Sequence, residues 1–183
     1  MLSIWLTTLA HGGSPLLEFD KAPDEPAWVT VNDNVMGGRS SGGSTVENGR
    51  LIFAGSTDTN GGGFSSVRTQ NREWPLDRLR GLRLRVRGDG RTYLLDVRTS
   101  DRRLATPFRA SFVTQADRWQ EVEIPFTDLR PWNFYGPILG PGAPSFDPAA
   151  IRAIGLMIYD KQDGPFRLEV DWIRPLEVGA SEN

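Results

Sequence analysis

From residue 50 onward, apolar and polar positions alternate with a period of two, the signature of strands with one buried face. Leu82, Leu84 and Val86 alternate with Arg83, Arg85 and Arg87. The following Gly88-Asp89-Gly90-Arg91 is an Asp-Gly turn and predicts a hairpin. Its partner strand carries Tyr93, Leu95 and Val97 between Thr92, Leu94 and Asp96. Further strands are predicted at residues 108–112 and 120–124, the second stopped by Pro125. Residues 154–159 are nearly all apolar, as in a strand covered on both faces. Phe166, Leu168, Val170 and Trp172 alternate with Arg167, Glu169 and Asp171, and residues 16–20 are expected to pair beside that last strand.

Glycine and proline, 20 and 13 of them, interrupt the chain at short intervals, and no helical stripe exceeds a turn or two. Many short strands with regular turns predict an all-β sandwich or jelly roll. At 183 residues the chain suits one domain. We expect a flexible lead over 1–15, a single domain over 16–175 and a frayed tail over 176–183. The longest irregular stretch, residues 127–147, holds Trp132, Phe134 and Tyr135. These aromatics either stack on a ligand or partner, or form a lid on their own sandwich.

Composition narrows the chemistry. The net charge of -2 leaves no bulk footprint for nucleic acid, and no apolar run is long enough for membrane insertion. Cysteine is absent, which excludes disulfides and thiol chemistry. The single histidine, His11, lies in the lead, away from any triad within the domain. The lead lacks a positive n-region and a small-residue cleavage site, so a cytoplasmic location is expected rather than export. Arg83, Arg85 and Arg87, with Arg98 and Arg109 nearby, would suit an RNA platform only if unpaired. Glu121 and Glu123 are expected to neutralise the arginines across the sheet.

Four segments suit neither core nor ordinary turn: residues 32–43, 59–68, 159–166 and the aromatic stretch. The first holds Asn32, Asp33 and Asn34, then Met36, Gly37, Gly38, Arg39 and Ser40, preceded by Trp28. Its polar side chains either converge on a ligand or partner, or bond to their own backbone as Asx turns do. Arg39 is expected to pair internally with Asp33 or Asp160, and Met36 to plug the underside of the loop. Asp160, Lys161 and Gln162 are expected to meet the first loop at one rim of the sandwich. An Asp33–Asp160 carboxylate pair is the only plausible hydrolytic apparatus, and it would need a raised pKa and a sugar-sized cleft. Glu18, Asp20 and Asp171 fall short of the six to eight oxygens calcium needs, so neither metal nor cofactor is expected.

The run from Trp28 through Ser41 resembles the hallmark of the complex I intermediate-associated protein 30 kDa family, the NADH:ubiquinone oxidoreductase assembly-factor domain. Residues 62–68, the Gly88–Gly90 turn, Trp119 with residues 124–126, and residues 160–162 before 164–166 follow in the same order. The resemblance implies a galactose-binding-like β-sandwich jelly roll without catalytic activity, of the bacterial stand-alone type. It implies a chaperone-like assembly module whose partner is a protein, respiratory-complex subunits included. A carbohydrate-binding module using the same rim loops is the alternative, and a carboxylate-pair glycoside hydrolase the weaker one.

Overall fold

The computed structural model describes residues 16–20, 27–74, 76, 79–99, 106–133 and 135–177. Two antiparallel sheets face each other. One contains β3 (Ser41–Glu47), β4 (Arg50–Thr57), β13 (Gly164–Glu177), β6 (Leu79–Arg87) and β9 (Trp119–Pro125) in that order, with β1 (Leu17–Glu18) also pairing with β13. The other runs β11 (Gly136–Pro137), β10 (Arg130–Asn133), β8 (Phe108–Val113), β7 (Thr92–Arg98), β12 (Ala153–Ile158), β5 (Ser65–Thr69) and β2 (Trp28–Asn32). The expected first-to-last pairing is present, with Leu17 opposite Ile173. Among the described residues no helix is long and apolar enough to cross a membrane.

The core lies between the sheets because each strand turns its apolar face inward. Leu51, Phe53, Leu84, Val86 and Leu168 from one layer are fully buried against Val67, Tyr93, Leu95, Leu156 and Ile158 from the other. Phe53 sits edge-on to Phe166 at 4.9 Å, a favoured aromatic geometry. All six residues of β12 are buried, as the continuous apolar run predicts.

Several expectations need correcting. The Gly88–Arg91 turn makes no hairpin: β6 and β7 lie in different sheets, so the turn is a corner. The Asp89 carboxylate holds it, accepting the Arg91 N–H at 3.0 Å, the Tyr93 hydroxyl at 3.0 Å and the Arg167 N–H of β13 at 2.7 Å. The 159–166 connection likewise crosses from β12 to β13 between the sheets. Register along β13 shifts between Val170 and Trp172, a bulge that reverses which side chains point inward. Trp172 therefore leaves the Phe166–Leu168–Val170 face and lies opposite Arg85, under the Arg174 guanidinium at 4.3 Å. Part of the stretch expected to be irregular is β10, which pairs with β8. Phe134, residues 1–15 and residues 178–183 lie outside the described residues, and β13 continues two residues past the expected boundary at 175.

The arginine face of β6 is neutralised within its own sheet. Arg83 pairs with Glu123, Arg85 with Asp171 at 2.6 Å and Arg87 with Glu169 at 2.7 Å. Arg98 and Arg109 belong to the other sheet, where the carboxylate of Asp96 serves both.

Candidate functional site

Asp33 opens a single 3-10 turn, Asp33–Met36, closed by Gly37 in the left-handed region at φ 88°. Its side chain is fully buried. The carboxylate accepts the Ser40 N–H at 2.9 Å, the Ser40 hydroxyl at 2.6 Å and the Gly63 N–H at 2.6 Å. A longer bond comes from the Phe64 N–H at 3.3 Å. Two glycines wall it in: a Cβ on Gly38 would stand 2.3 Å from the Asp33 Cγ, and one on Gly62 2.4 Å from Oδ2. Burial alone would raise this carboxyl, yet the Ser40 hydroxyl and the backbone N–H groups outweigh it and hold the pKa below the usual carboxylate range.

Asp160 sits on the same rim. Arg91, itself nearly buried, grips both of its carboxylate oxygens at 2.9 and 2.6 Å. The same guanidinium donates to the carbonyls of Gln162, Gly164 and Pro165. It also donates to the Thr57 hydroxyl at 2.9 Å. The bonds it donates to Asp160 push the Arg91 pKa up, against the effect of burial. Residue 58 links the two halves, its N–H donating to the Ser40 hydroxyl at 3.0 Å, while the Thr59 N–H donates to Asp163 at 2.6 Å. The two loops thus converge, and most of their polarity is spent on tying loop to loop.

The remaining expected residues divide by exposure. Asn32 is occupied, accepting the Ser65 hydroxyl at 2.6 Å and donating to the Gly42 carbonyl at 3.1 Å. Gln162 folds back on Asp160, its side-chain amide donating at 3.2 Å. Trp28 is not at the rim: it lies at the opposite end of β2 and packs against Phe19 at 6.2 Å. Arg39 is exposed and pairs with neither Asp33, which is saturated by N–H and hydroxyl donors, nor Asp160, which Arg91 holds. Met36, expected as a plug beneath the loop, is instead 41% exposed, and Val35 beside it is 65% exposed. Asn34 and Gly37 are exposed beside them. Lys161 is exposed at φ 64°, its amino group over the Tyr159 ring at 4.9 Å.

Met36 borders a cleft of about 390 Å³ on the outer face of the seven-stranded sheet. Cross-strand register sets Val31, Ser66 and Met157, which line it, opposite one another on β2, β5 and β12, and the next outward row supplies Arg68 and Arg109. Val29, Arg68, Gly155, Asp96 and Arg109 stand directly opposite one another across β2, β5, β12, β7 and β8. Their inward-facing neighbours, Val67, Leu95 and Leu156, belong to the core, so this row points outward. Glycine is required at 155, where a Cβ would lie 2.5 Å from the Val67 carbonyl oxygen. Asp96 accepts Arg109 at 2.6 Å and Arg98 at 3.1 Å. Its burial would raise its pKa, but the two guanidiniums overcome that and lower it. Arg68 is half-buried and, among the described residues, has neither a hydrogen bond nor an ion pair. Burial, reinforced by the charge on Arg98, pushes its pKa down. Phe64, Met157, Trp132 and Tyr159 supply apolar walls, with the Arg109 guanidinium 5.5 Å from the Trp132 ring.

Sequence reasoning placed no role on Arg68, Arg91, Asp96 or Asp163. The signal for Asp96 and Arg68 is their polarity at outward positions of otherwise buried strands. It becomes readable only once the register of β5, β12 and β7 is known.

A family model described as Complex I intermediate-associated protein 30 matches residues 17–170. The chain is 27% identical over 186 aligned residues to the mitochondrial Complex I intermediate-associated protein 30 of Mus musculus, with 85% of this chain covered. It spans about half that relative's length, 54%. Among solved structures, the family 11 carbohydrate-binding module of the cellulase Lic26A-Cel5E of Clostridium thermocellum superposes with a TM-score of 0.65. That match is 14% identical and covers 91% of this chain and 96% of the module. An agarase superposes at 0.56 and 14% identity, over 89% of this chain but 24% of the enzyme. These structural likenesses identify the fold, a galactose-binding-like sandwich.

Proposed function

The chain belongs to the complex I intermediate-associated protein 30 family, and on that premise we propose that it is a non-catalytic module assisting respiratory-complex assembly by binding a protein partner. The family match carries the reading, and the rim chemistry supports it. Hydrolysis through Asp33 and Asp160 would need one carboxyl held protonated and both open to substrate. Here Asp33 is fully buried with its pKa lowered, and Asp160 is clamped by Arg91. What the rim and sheet offer a partner instead is the exposed Asn34–Gly37 tip, Arg39 and the adjoining cleft.

Sugar binding on the same face would draw on rings such as Trp132 and Tyr159. The Arg109 guanidinium already lies over the Trp132 ring, and Lys161 over that of Tyr159. The deciding experiment passes detergent-solubilised respiratory membranes over the immobilised chain. Recovery of complex I subunits or assembly intermediates is the expected result. Retention of the chain on a polysaccharide, reversed by free oligosaccharide and with no respiratory subunit recovered, overturns it.

A further inference from the structure

We propose that the cleft on the seven-stranded sheet is a receptor for an acidic side chain carried by an apolar stretch of a partner polypeptide, with Arg68 as the residue that captures the carboxylate. The proposal rests on the protein-binding reading above and names the chemistry of its partner.

Charge is the first argument. Three guanidiniums, Arg68, Arg98 and Arg109, line the cleft, and Asp96 is shared by Arg98 and Arg109. Arg68 is left over. Its guanidinium is half-buried and has no protein acceptor among the described residues, so three cations of the cleft share one carboxylate. The Asp96 row aggravates the imbalance, because Arg98 repels Arg68 more than Asp96 attracts it. A carboxylate entering the cleft supplies the missing acceptor, and the planar guanidinium can take it on two parallel N–H bonds.

The cleft itself provides the space, with Arg68 on its lining beside Ser66, Phe64 and Met157. Met36 at the mouth, with Val31 and Met157 deeper, makes the walls apolar and adaptable. Methionine-lined surfaces re-pack around varied side chains, which suits a peptide better than the fixed hydroxyl pattern of a sugar. The volume, about 390 Å³, falls within the range of ligand-sized sites. It accepts a carboxylate side chain with an apolar neighbour, not a folded domain.

The test is a titration of the full chain with a short fluorescein-labelled peptide alternating glutamate with leucine and phenylalanine. Its glutamine isostere and an oligogalacturonate are titrated in parallel. The glutamate peptide is expected to bind at least about tenfold more tightly than the glutamine peptide, as a charge-assisted hydrogen bond implies. Its affinity should fall as salt is raised. Arg68→Gln should weaken the glutamate peptide by a similar factor, whereas Arg83→Gln, on the other sheet and paired with Glu123, should leave it unchanged. Equal binding of acid and amide peptides overturns the proposal, as does wild-type affinity in R68Q. Binding of the galacturonate but not of the peptide also overturns it and assigns the cleft to acidic sugars. Should R68Q not fold, the acid-against-amide comparison on the unaltered chain decides alone. Failure here is separable from failure of the assembly role: an R68Q chain that still recovers respiratory subunits refutes the receptor and leaves the role standing.

Discussion

The Ser40 hydroxyl donates to the Asp33 carboxylate at 2.6 Å and accepts the Asp58 N–H at 3.0 Å, so one side chain bridges the two loops alongside the direct bonds from Gly63 and Phe64 to Asp33. Asp33 is the hub of that bridge, with donors from Ser40, Gly63 and Phe64 around it. Asp33→Asn keeps the shape but turns an amide N–H₂ toward a ring of donors. We expect a loss of about 2–4 kcal/mol in urea unfolding, because bonds to a buried charge are lost and new donor–donor clashes appear.

The same hub sets the acid limit. Asp33, Asp96 and Glu169 all have folded-state pKa values lowered by their partners despite burial. Carboxyls with depressed folded values contribute stability that is fully present above their unfolded pKa and lost as pH falls through the folded one. Thermal melting should therefore stay level near neutrality and drop below about pH 4, the unfolded carboxyl range. In Asp33→Asn the drop should be shallower, since one of the titrating groups is gone. An acid limb as steep as in the unaltered chain would show that Asp33 is not linked to folding.

Arg91 and Asp160 form the other tie, with side chains 10% and 4% exposed. Removing one partner leaves the other charged and buried, so Arg91→Met or Asp160→Asn should each cost about 3–5 kcal/mol. The double variant should cost clearly less than the sum of the two, because the stranded charge is removed as well. Additivity in a double-mutant cycle measured by urea unfolding would mean that Arg91 works through its carbonyl acceptors rather than through Asp160.

How much of this was legible in the residues depends on how local each feature is. The all-β architecture follows from alternation within single strands such as β6, where Leu82, Leu84 and Val86 are all fully buried. Which sheet a strand joins does not: Asp89 and Gly90 read as a hairpin turn, but Asp89 bonds to Arg167 on β13, a partner 78 positions away. The bulge after Val170 likewise arises from sheet register, and it displaced Trp172 from its expected face. At the rim, the cluster of Asn32, Asp33 and Asp160 was visible as an anomaly of composition. Its role was not, because the donors that saturate Asp33 are backbone N–H groups of residues 63 and 64, which any sequence possesses. The cleft was hidden most completely, since Arg68, Asp96 and Arg109 meet only through pairing across β5, β12, β7 and β8.

The glycines beside Asp33 should behave unlike glycines elsewhere. A methyl at Gly38 or Gly62 collides with the Asp33 carboxylate, so Gly38→Ala and Gly62→Ala should each cost about 1–3 kcal/mol through overpacking. At Gly43 the nearest atom to an added Cβ is the Thr30 hydroxyl oxygen at 3.8 Å, an ordinary contact. Gly43→Ala should be neutral or gain about 0.4–1 kcal/mol by restricting the unfolded chain. Equal effects at positions 38 and 43 in chemical unfolding would remove the steric argument.

Arg68 allows a prediction of opposite sign. A residue kept for packing or pairing loses stability when changed, whereas one kept for a ligand often gains it, because its strain is relieved. Arg68 is half-buried, repelled by Arg98 and without a hydrogen-bond partner among the described residues, so Arg68→Gln removes an uncompensated charge while retaining most of the side-chain stem. The urea midpoint of R68Q at neutral pH should be unchanged or higher, by up to about 1 kcal/mol. A clear loss of stability would mean that the guanidinium holds the outer face of β5 in place, and a residue so employed is not free to receive a carboxylate.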